Sequence, residues 1–359
     1  VSFDDSRLES ADLTAGAEQL LRRLASTGAR IRRDAGGIDP DQGVLDQLGT
    51  PRGVVVVGPE ARLVRAVLEP VCPVPLVAWS LPTLPAWVGP LDLVVGIDLG
   101  ESSGGAPASV AEPSHAVPAL AEGARRGAGI ILAGVPGSAA WRAAAARGAV
   151  RVPVHGDDAL AAAVVVLALL GRVGIAPQVQ PEQVARAADL VAEDASPYHG
   201  LASNRAKDLA CALADADPLF WGGSVLAARA SRRVAEAFRR ATGGLALSAD
   251  ASELLPVMTS VRPRDPFADP ELDGPQHRPV LVVMDDGVVD GRRRGLEEAA
   301  VRHDVTVRTI GLPMGVDDGS DALTRYVTLL LQGRYTAAYL ALGLGRLDAA
   351  ADADGQELR

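Results

Sequence analysis

The stretch SNRAKDLACALADADPLFWGGS, residues 203–224, decides how the rest of the chain is read. Asn204 stands where a helix cap belongs, and the residues after it predict a helix over 202–215. PLFWGG (218–223) is a short apolar run that stops at a glycine pair. Ser224 then opens another helix. Helix, buried strand, glycine turn and capped helix follow one another as in a parallel α/β sheet, whose strands are covered on both faces. The stretch also holds Lys207. Of the 35 Lys and Arg residues, all but this one are arginine. A lone lysine on a helix has a plain reading, a solvated side chain, and a sharper one, a residue kept to shape a site.

Working outward, the same alternation recurs. SVLAARASRRVAEAFRRATGG (224–244) is a helix with a serine cap and a glycine stop. Strands are expected at 245–249, 279–287 and 305–311, and helices at 181–194, 291–302, 320–332 and 335–343. In the first half, RGVVVVG (52–58) and GIILAG (129–134) read as buried parallel strands, with further strands at 74–79, 91–97 and 149–154. Helices at 60–69, 117–128 and 138–148 lie between them. The apolar run 159–170 follows Asp157-Asp158 and reads as a buried helix. It is too short to cross a bilayer, which takes roughly 20 residues. The fold class expected is α/β: two doubly wound halves, each a parallel sheet flanked by helices. The divisions expected are a helical segment at 1–45, subdomains at 46–175 and 176–347, and a mobile tail at 348–359. A Pro- and Asp-rich loop is expected at 262–279.

Composition narrows the function classes. Apolar residues make up 48% but aromatics only 3%, so the core is built of small aliphatic side chains. A net charge of -10 argues against a nucleic-acid surface. Cys72 and Cys211 form no CxxC, which fits a reducing compartment. The five histidines share no metal-ligand spacing, so neither metal nor cofactor is expected. The acidic, polar start is unlike a signal peptide. A cytoplasmic protein with no membrane partner is the expectation.

Two strings carry a family resemblance. SNRAKDLACALADADPLFWG (203–222) is similar to the Asn-Pro-Ala-Lys helix and following strand of the SIS (sugar isomerase) superfamily. YVTLLLQGRYTAAYLALGLGRLD (326–348) resembles its closing helix pair. The match is best to the C-terminal half of bifunctional phosphoglucose/phosphomannose isomerases. The resemblance implies two SIS subdomains of five parallel strands each, a homodimer, a sugar-phosphate ligand and no cofactor. It places Lys207 at the motif lysine, beside Asn204.

The residues that chemistry needs are altered. Where the family has a Gly-Gly-Ser phosphate loop, this chain has Gly58-Pro59-Glu60, which loses a donor N–H and gains a charge. The second phosphate loop reads Asp98-Leu99-Gly100-Glu101-Ser102-Ser103-Gly104. Gly100, Ser102 and Ser103 remain binding candidates, opposed by Asp98 and Glu101. Gly222, Gly223 and Ser224 form the best remaining anion cradle, at a capped helix N-terminus. The family's catalytic glutamate falls near Arg240. Glu236 comes one turn early and is expected to face solvent, and Glu253 is followed by Pro256 where the family has its histidine. His199 is the remaining loop histidine near the motif helix, with His115 and Glu193 as further recruits. Three readings follow. The first is an SIS-fold protein with eroded motifs, non-catalytic or sugar-phosphate-binding and regulatory. The second is an active aldose–ketose isomerase with recruited residues. The third is an unrelated nucleotide binder, for which neither GPEARLVRA nor GGSVLAARAS has the required glycine spacing.

Overall fold

The computed structural model describes residues 3–10, 12–38, 42–46, 48–100, 115–146, 148–261, 278–316 and 319–347. Of the loop expected at 262–279, residues 262–277 lie outside them, as does the tail at 348–359, whereas Arg278 and Pro279 begin a strand. The chain divides into a first unit, Thr27–Arg186, and a second unit built from both ends, Val1–Ser26 with Ala187–Arg359. Of the N-terminal helices, α1 (Ser6–Glu9) and α2 (Ala15–Ala25) belong to the second unit, and α3 (Thr27–Ala35) belongs to the first. The sequence reading places all three in one segment ending at 45. The division runs through that segment because packing, not sequence proximity, assigns each helix to a unit.

In the first unit, α4 (Gln42–Asp46) leads to β1 (Val54–Val57), α5 (Ala61–Leu68), β2 (Leu76–Trp79) and β3 (Leu93–Ile97). Then come α6 (Ala116–Arg125), β4 (Gly129–Gly134), α7 (Ala139–Ala143), β5 (Val150–Pro153) and α8 (Ala159–Val173). The strands are all parallel, in the order β2-β1-β3-β4-β5. Every residue of β1 and β3 is buried, which is why they read as unbroken apolar runs. On one face Val55, Val57, Val94, Ile130 and Leu132 pack with Ala116, Ala119 and Leu120 of α6. α8 is buried on every side from Leu160 to Gly171, and it packs against α3, α5, β3 and β4. A helix that is apolar all round belongs inside a protein. Asp158 caps it by accepting from Leu160 N at 2.9 Å.

The second unit continues with α9 (Pro181–Asp194), whose first residues belong to the first unit. A 3-10 turn (Leu201–Ser203), α10 (Arg205–Ala212), β6 (Ala216–Gly222), α11 (Val225–Thr242) and β7 (Leu247–Ser248) follow. α12 (Ala251–Thr259), β8 (Arg278–Asp285), α13 (Gly291–Arg302), β9 (Thr306–Gly311) and α14 (Ala322–Gly343) complete it. Its sheet, β7-β6-β8-β9, is parallel and repeats the order β2-β1-β3-β4. Among the described residues it has four strands where the resemblance implies five. Here the chain passes from β9 to the long helix α14, where the first unit inserts α7 and β5.

Two expectations about helices are corrected. The breaks foreseen around Gln332-Gly333-Arg334 do not occur, and α14 runs unbroken through them. Gly333 is there for packing: a Cβ at this position would lie 2.4 Å from Val234 Cγ2 of α11. An interior glycine costs a helix about 1 kcal/mol against alanine, and the close approach of α11 and α14 offsets it. α12 is the second correction: the sequence reading places no helix over 251–259, and the one found there holds Pro256 inside it. No described helix is long and apolar enough to cross a membrane.

Candidate functional site

The strand order creates a switch point in each sheet, between β1 and β3 and between β6 and β8. Ligands of open α/β sheets bind outside the carboxyl ends of the strands at such points. In the second unit this position holds Gly222, Gly223 and Ser224. The space beside both glycines is filled by the chain itself: a Cβ on Gly222 would sit 2.2 Å from the Ala227 carbonyl carbon, and one on Gly223 would sit 2.5 Å from Asp290 Cβ. Ser224 caps α11, its hydroxyl oxygen accepting from Ala227 N at 2.9 Å. The same hydroxyl donates to Asp286 Oδ2 at 2.7 Å. Asp286 follows β8 and is 2% exposed. Its other oxygen accepts from Val288 N at 3.3 Å, and Arg325 Nη1 donates to its backbone carbonyl at 3.1 Å.

Around this lock, Arg292 pairs with Asp290 at 2.7 Å and donates to the Gly223 carbonyl at 3.0 Å. The Arg292 side chain holds the Asp290 carboxyl below the usual carboxylate range. Arg293 is shared between Glu297 and Asp285. The cradle therefore carries arginine–carboxylate pairs and, against its serine hydroxyl, the buried carboxylate of Asp286.

The first unit has a second lock of the same chemistry. Asp98, just beyond β3 and 6% exposed, accepts from Ser138 Oγ at 2.7 Å. Ser138 caps α7, accepting from Trp141 N at 3.0 Å. Gly58 packs directly under the Ile97 carbonyl at the end of β3. Gly100 lies just beyond the lock, in the left-handed region at φ 68°. Ser102 and Ser103 lie outside the described residues.

Lys207 is buried, at 1% exposure. Its ammonium donates to the Pro197 carbonyl at 2.8 Å and the His199 carbonyl at 2.7 Å, and lies 5.5 Å from the ring centroid of Tyr339. Burial pushes the amine below the ordinary lysine range, and the charge of Glu9 opposes that. Tyr339 in turn donates its hydroxyl to the Ala195 carbonyl at 2.7 Å. Asn204 caps α10, accepting from Ala206 N and Lys207 N at 3.0 Å each, and donates to the Ser196 carbonyl at 2.9 Å. Beside this pin opens a cavity of about 230 Å³, lined by Glu9, Ser10, Leu13, Tyr198, His199 and Lys207 among others.

No protein-family model matches the sequence, and no curated protein matches it. Solved structures do. The tagatose-6-phosphate ketose/aldose isomerase of Escherichia coli superposes with a TM-score of 0.59 at 14% identity, over 92% of this chain and 94% of that one. The C-terminal domain of glucosamine-fructose-6-phosphate aminotransferase from Francisella tularensis gives 0.58 at 10% identity, over 91% and 96%. A protein described as a phosphosugar isomerase, from Silicibacter pomeroyi DSS-3, gives 0.57 at 14% identity, over 91% and 98%. The chain has the SIS fold.

Within that fold, the candidate residues separate. His199 and Lys207 meet at one cavity, together with Glu9, which the sequence did not mark out. Lys207 is not the solvated side chain of the plain reading, because its charge is turned inward onto two carbonyls. Glu236 does not face solvent: it pairs with Arg233 at 2.9 Å with 22% of its side chain exposed. Its spacing three residues after Arg233 explains the pairing. Glu253 is exposed on α12, Glu193 is exposed on α9, and His115 precedes α6 in the first unit. Asn204, Gly222 and Gly223 are occupied by capping and packing. Ser138 was missed, because nothing near it in sequence shows that Asp98, 40 residues earlier, is its partner. Among the described residues no cluster has the ligands to hold a metal ion.

Proposed function

We propose that this is an SIS-fold protein of the phosphoglucose/phosphomannose isomerase type that has lost isomerase chemistry and serves as a sugar-derivative-binding or regulatory protein. The observation that carries the reading is the Ser224–Asp286 lock. A phosphate dianion at the mouth of α11 needs the serine hydroxyl and free N–H groups. Here the hydroxyl is committed to a buried carboxylate, and the phosphate would have to approach that charge. Two like unit charges 4 Å apart repel by about 4 kcal/mol at a near-surface dielectric. The Ser138–Asp98 lock supports the same reading in the first unit. Assembly as a cytoplasmic homodimer belongs to this reading and rests on the resemblance.

A coupled assay tests it. Fructose 6-phosphate is offered to the purified protein, and formation of glucose 6-phosphate and mannose 6-phosphate is followed beside an active isomerase. The expected result is no turnover above blank. A second reading, an isomerase rebuilt from recruited residues, is favoured by one observation: His199, Glu9 and Lys207 line one cavity. Turnover that disappears in His199→Ala establishes that reading and defeats the first.

A further inference from the structure

Asp34 and His155, in the first unit, take no part in the sites above. Asp34 lies on α3 with its side chain wholly buried, and its Oδ2 has no hydrogen-bond partner. Its Oδ1 lies 2.7 Å from His155 Nδ1 and 3.1 Å from Arg33 Nε. Arg33 also pairs with Asp157, and Arg30 reaches Asp157 and Asp158, so α3 is fastened to the start of α8. His155 follows β5 at the carboxyl edge of the sheet. Its side chain is 59% exposed, and its ring and its backbone N–H both meet Asp34 Oδ1.

The next residue sets where this imidazole stands. Gly156 has φ 77°, and a Cβ there would lie 2.6 Å from the Leu99 carbonyl oxygen and 2.5 Å from Val135 Cγ2. The loop after β5 is thus pressed onto the loops after β3 and β4. His155 shares its sheet edge with Asp98 and Ser138.

A carboxylate against Nδ1 fixes the hydrogen on that nitrogen and turns the Nε2 lone pair outward. A simple tether between a loop and a helix needs neither a buried charge nor an exposed ring. We propose, resting on the sugar-derivative-binding reading above, that Asp34 and His155 form an acid–base dyad, in which Nε2 takes the proton of a hydroxyl on a neutral, polyhydroxylated ligand. The hydroxyl's electron pair stays on its oxygen, and the imidazolium formed is held by the Asp34 carboxylate. Asp34 is the positioning residue. Neutrality of the ligand follows from Asp98, a buried carboxylate at this edge whose hydrogen bond is to a serine hydroxyl, whereas the charge of Asp34 is met by Arg33.

The test is carbethoxylation of the full-length protein with diethyl pyrocarbonate, mapped by peptide mass spectrometry. His155 is expected to react about tenfold faster than His115, His199, His277 and His303, and to lose that advantage in Asp34→Asn. Equal rates, or no change in Asp34→Asn, overturn the dyad. Should that variant fail to fold, nitrogen-15 NMR of the wild-type protein decides. Neutral His155 with hydrogen on Nδ1 supports the proposal, and hydrogen on Nε2 overturns it. Fructose and fructose 6-phosphate are then compared as protectants at equal millimolar concentration. Slower labelling of His155 with fructose, and no more with the phosphate, is the expected result. Stronger protection by fructose 6-phosphate, or none by either, overturns the ligand class.

Discussion

The two sheets share a strand order and differ in how a serine reaches an aspartate. In the second unit the serine follows β6 and reaches across the switch point to the end of β8. In the first unit it follows β4 and reaches back to the end of β3. Both bonds measure 2.7 Å, and both aspartates are buried. The second unit adds a buried lysine pin, and the first adds a buried aspartate under an exposed histidine. A fold can therefore keep its topology while the groups at its strand ends are rewired. That is why the site, not the fold, has to carry the functional argument.

The largest effect expected from breaking this comparison is at Lys207. Lys207→Met keeps most of the side-chain volume but removes the donor to the Pro197 and His199 carbonyls. A charged hydrogen bond is worth roughly 1.5–3 kcal/mol, so a loss of about 3 kcal/mol is expected for the pair once water recovers part of it. Urea unfolding followed by circular dichroism measures it. A loss below 1 kcal/mol would mean that the pin is ornamental and that the lysine had another use.

The two serine locks come next, and they differ in a predictable way. Ser224 caps α11, a helix of 18 residues, whereas Ser138 caps α7, which has five. Ser224→Ala removes a cap worth about 1 kcal/mol and leaves a buried carboxylate oxygen unpaired, for a total of about 2 kcal/mol. Ser138→Ala is expected to cost about 1 kcal/mol, because a short helix end relaxes more readily. The same unfolding experiment ranks them, and a reversed order would show that the first-unit lock is the more constrained. Asp286→Asn sharpens the functional side. Removing the Asp286 charge is expected to let sulfate or phosphate raise the melting temperature, with no such rise expected for the wild type. An anion that stabilises both equally would remove the electrostatic basis of the proposed function.

Much of the fold was legible, and the reason is visible in single elements. β1 and β4 are buried on both faces, so Val54–Val57 and Gly129–Gly134 announce themselves as apolar runs. The helix stop at Gly243 was equally plain. The continuity of α14 was not, because a glycine that admits a neighbouring helix looks in sequence like one that ends its own. Less of the candidate site was legible. Asp286 is 62 residues from Ser224, and His155 is 121 from Asp34. Such pairs are made by topology, and no spacing rule reports them. Lys207 was conspicuous in sequence because it was alone, but its burial depends on Pro197, His199 and Tyr339 closing over it.

The smallest effect is a pH slope, and it separates a buried cation from a surface one. Burial pushes the folded-state value of Lys207 below its ordinary one. Between those two values the unfolded chain binds more protons than the folded one, so stability rises with pH. The window is the alkaline range just below the ordinary lysine value. Cys211, Tyr335 and Tyr339 are pushed upward by burial and act in the opposite sense, favouring the folded state less as pH rises. Comparing wild type with Lys207→Met removes their common contribution. The difference in unfolding free energy is expected to grow with pH across this window, with a slope of at most about 1.4 kcal/mol per pH unit for one proton. A flat difference would place the ammonium in water, and the two-carbonyl pin would lose its physical basis.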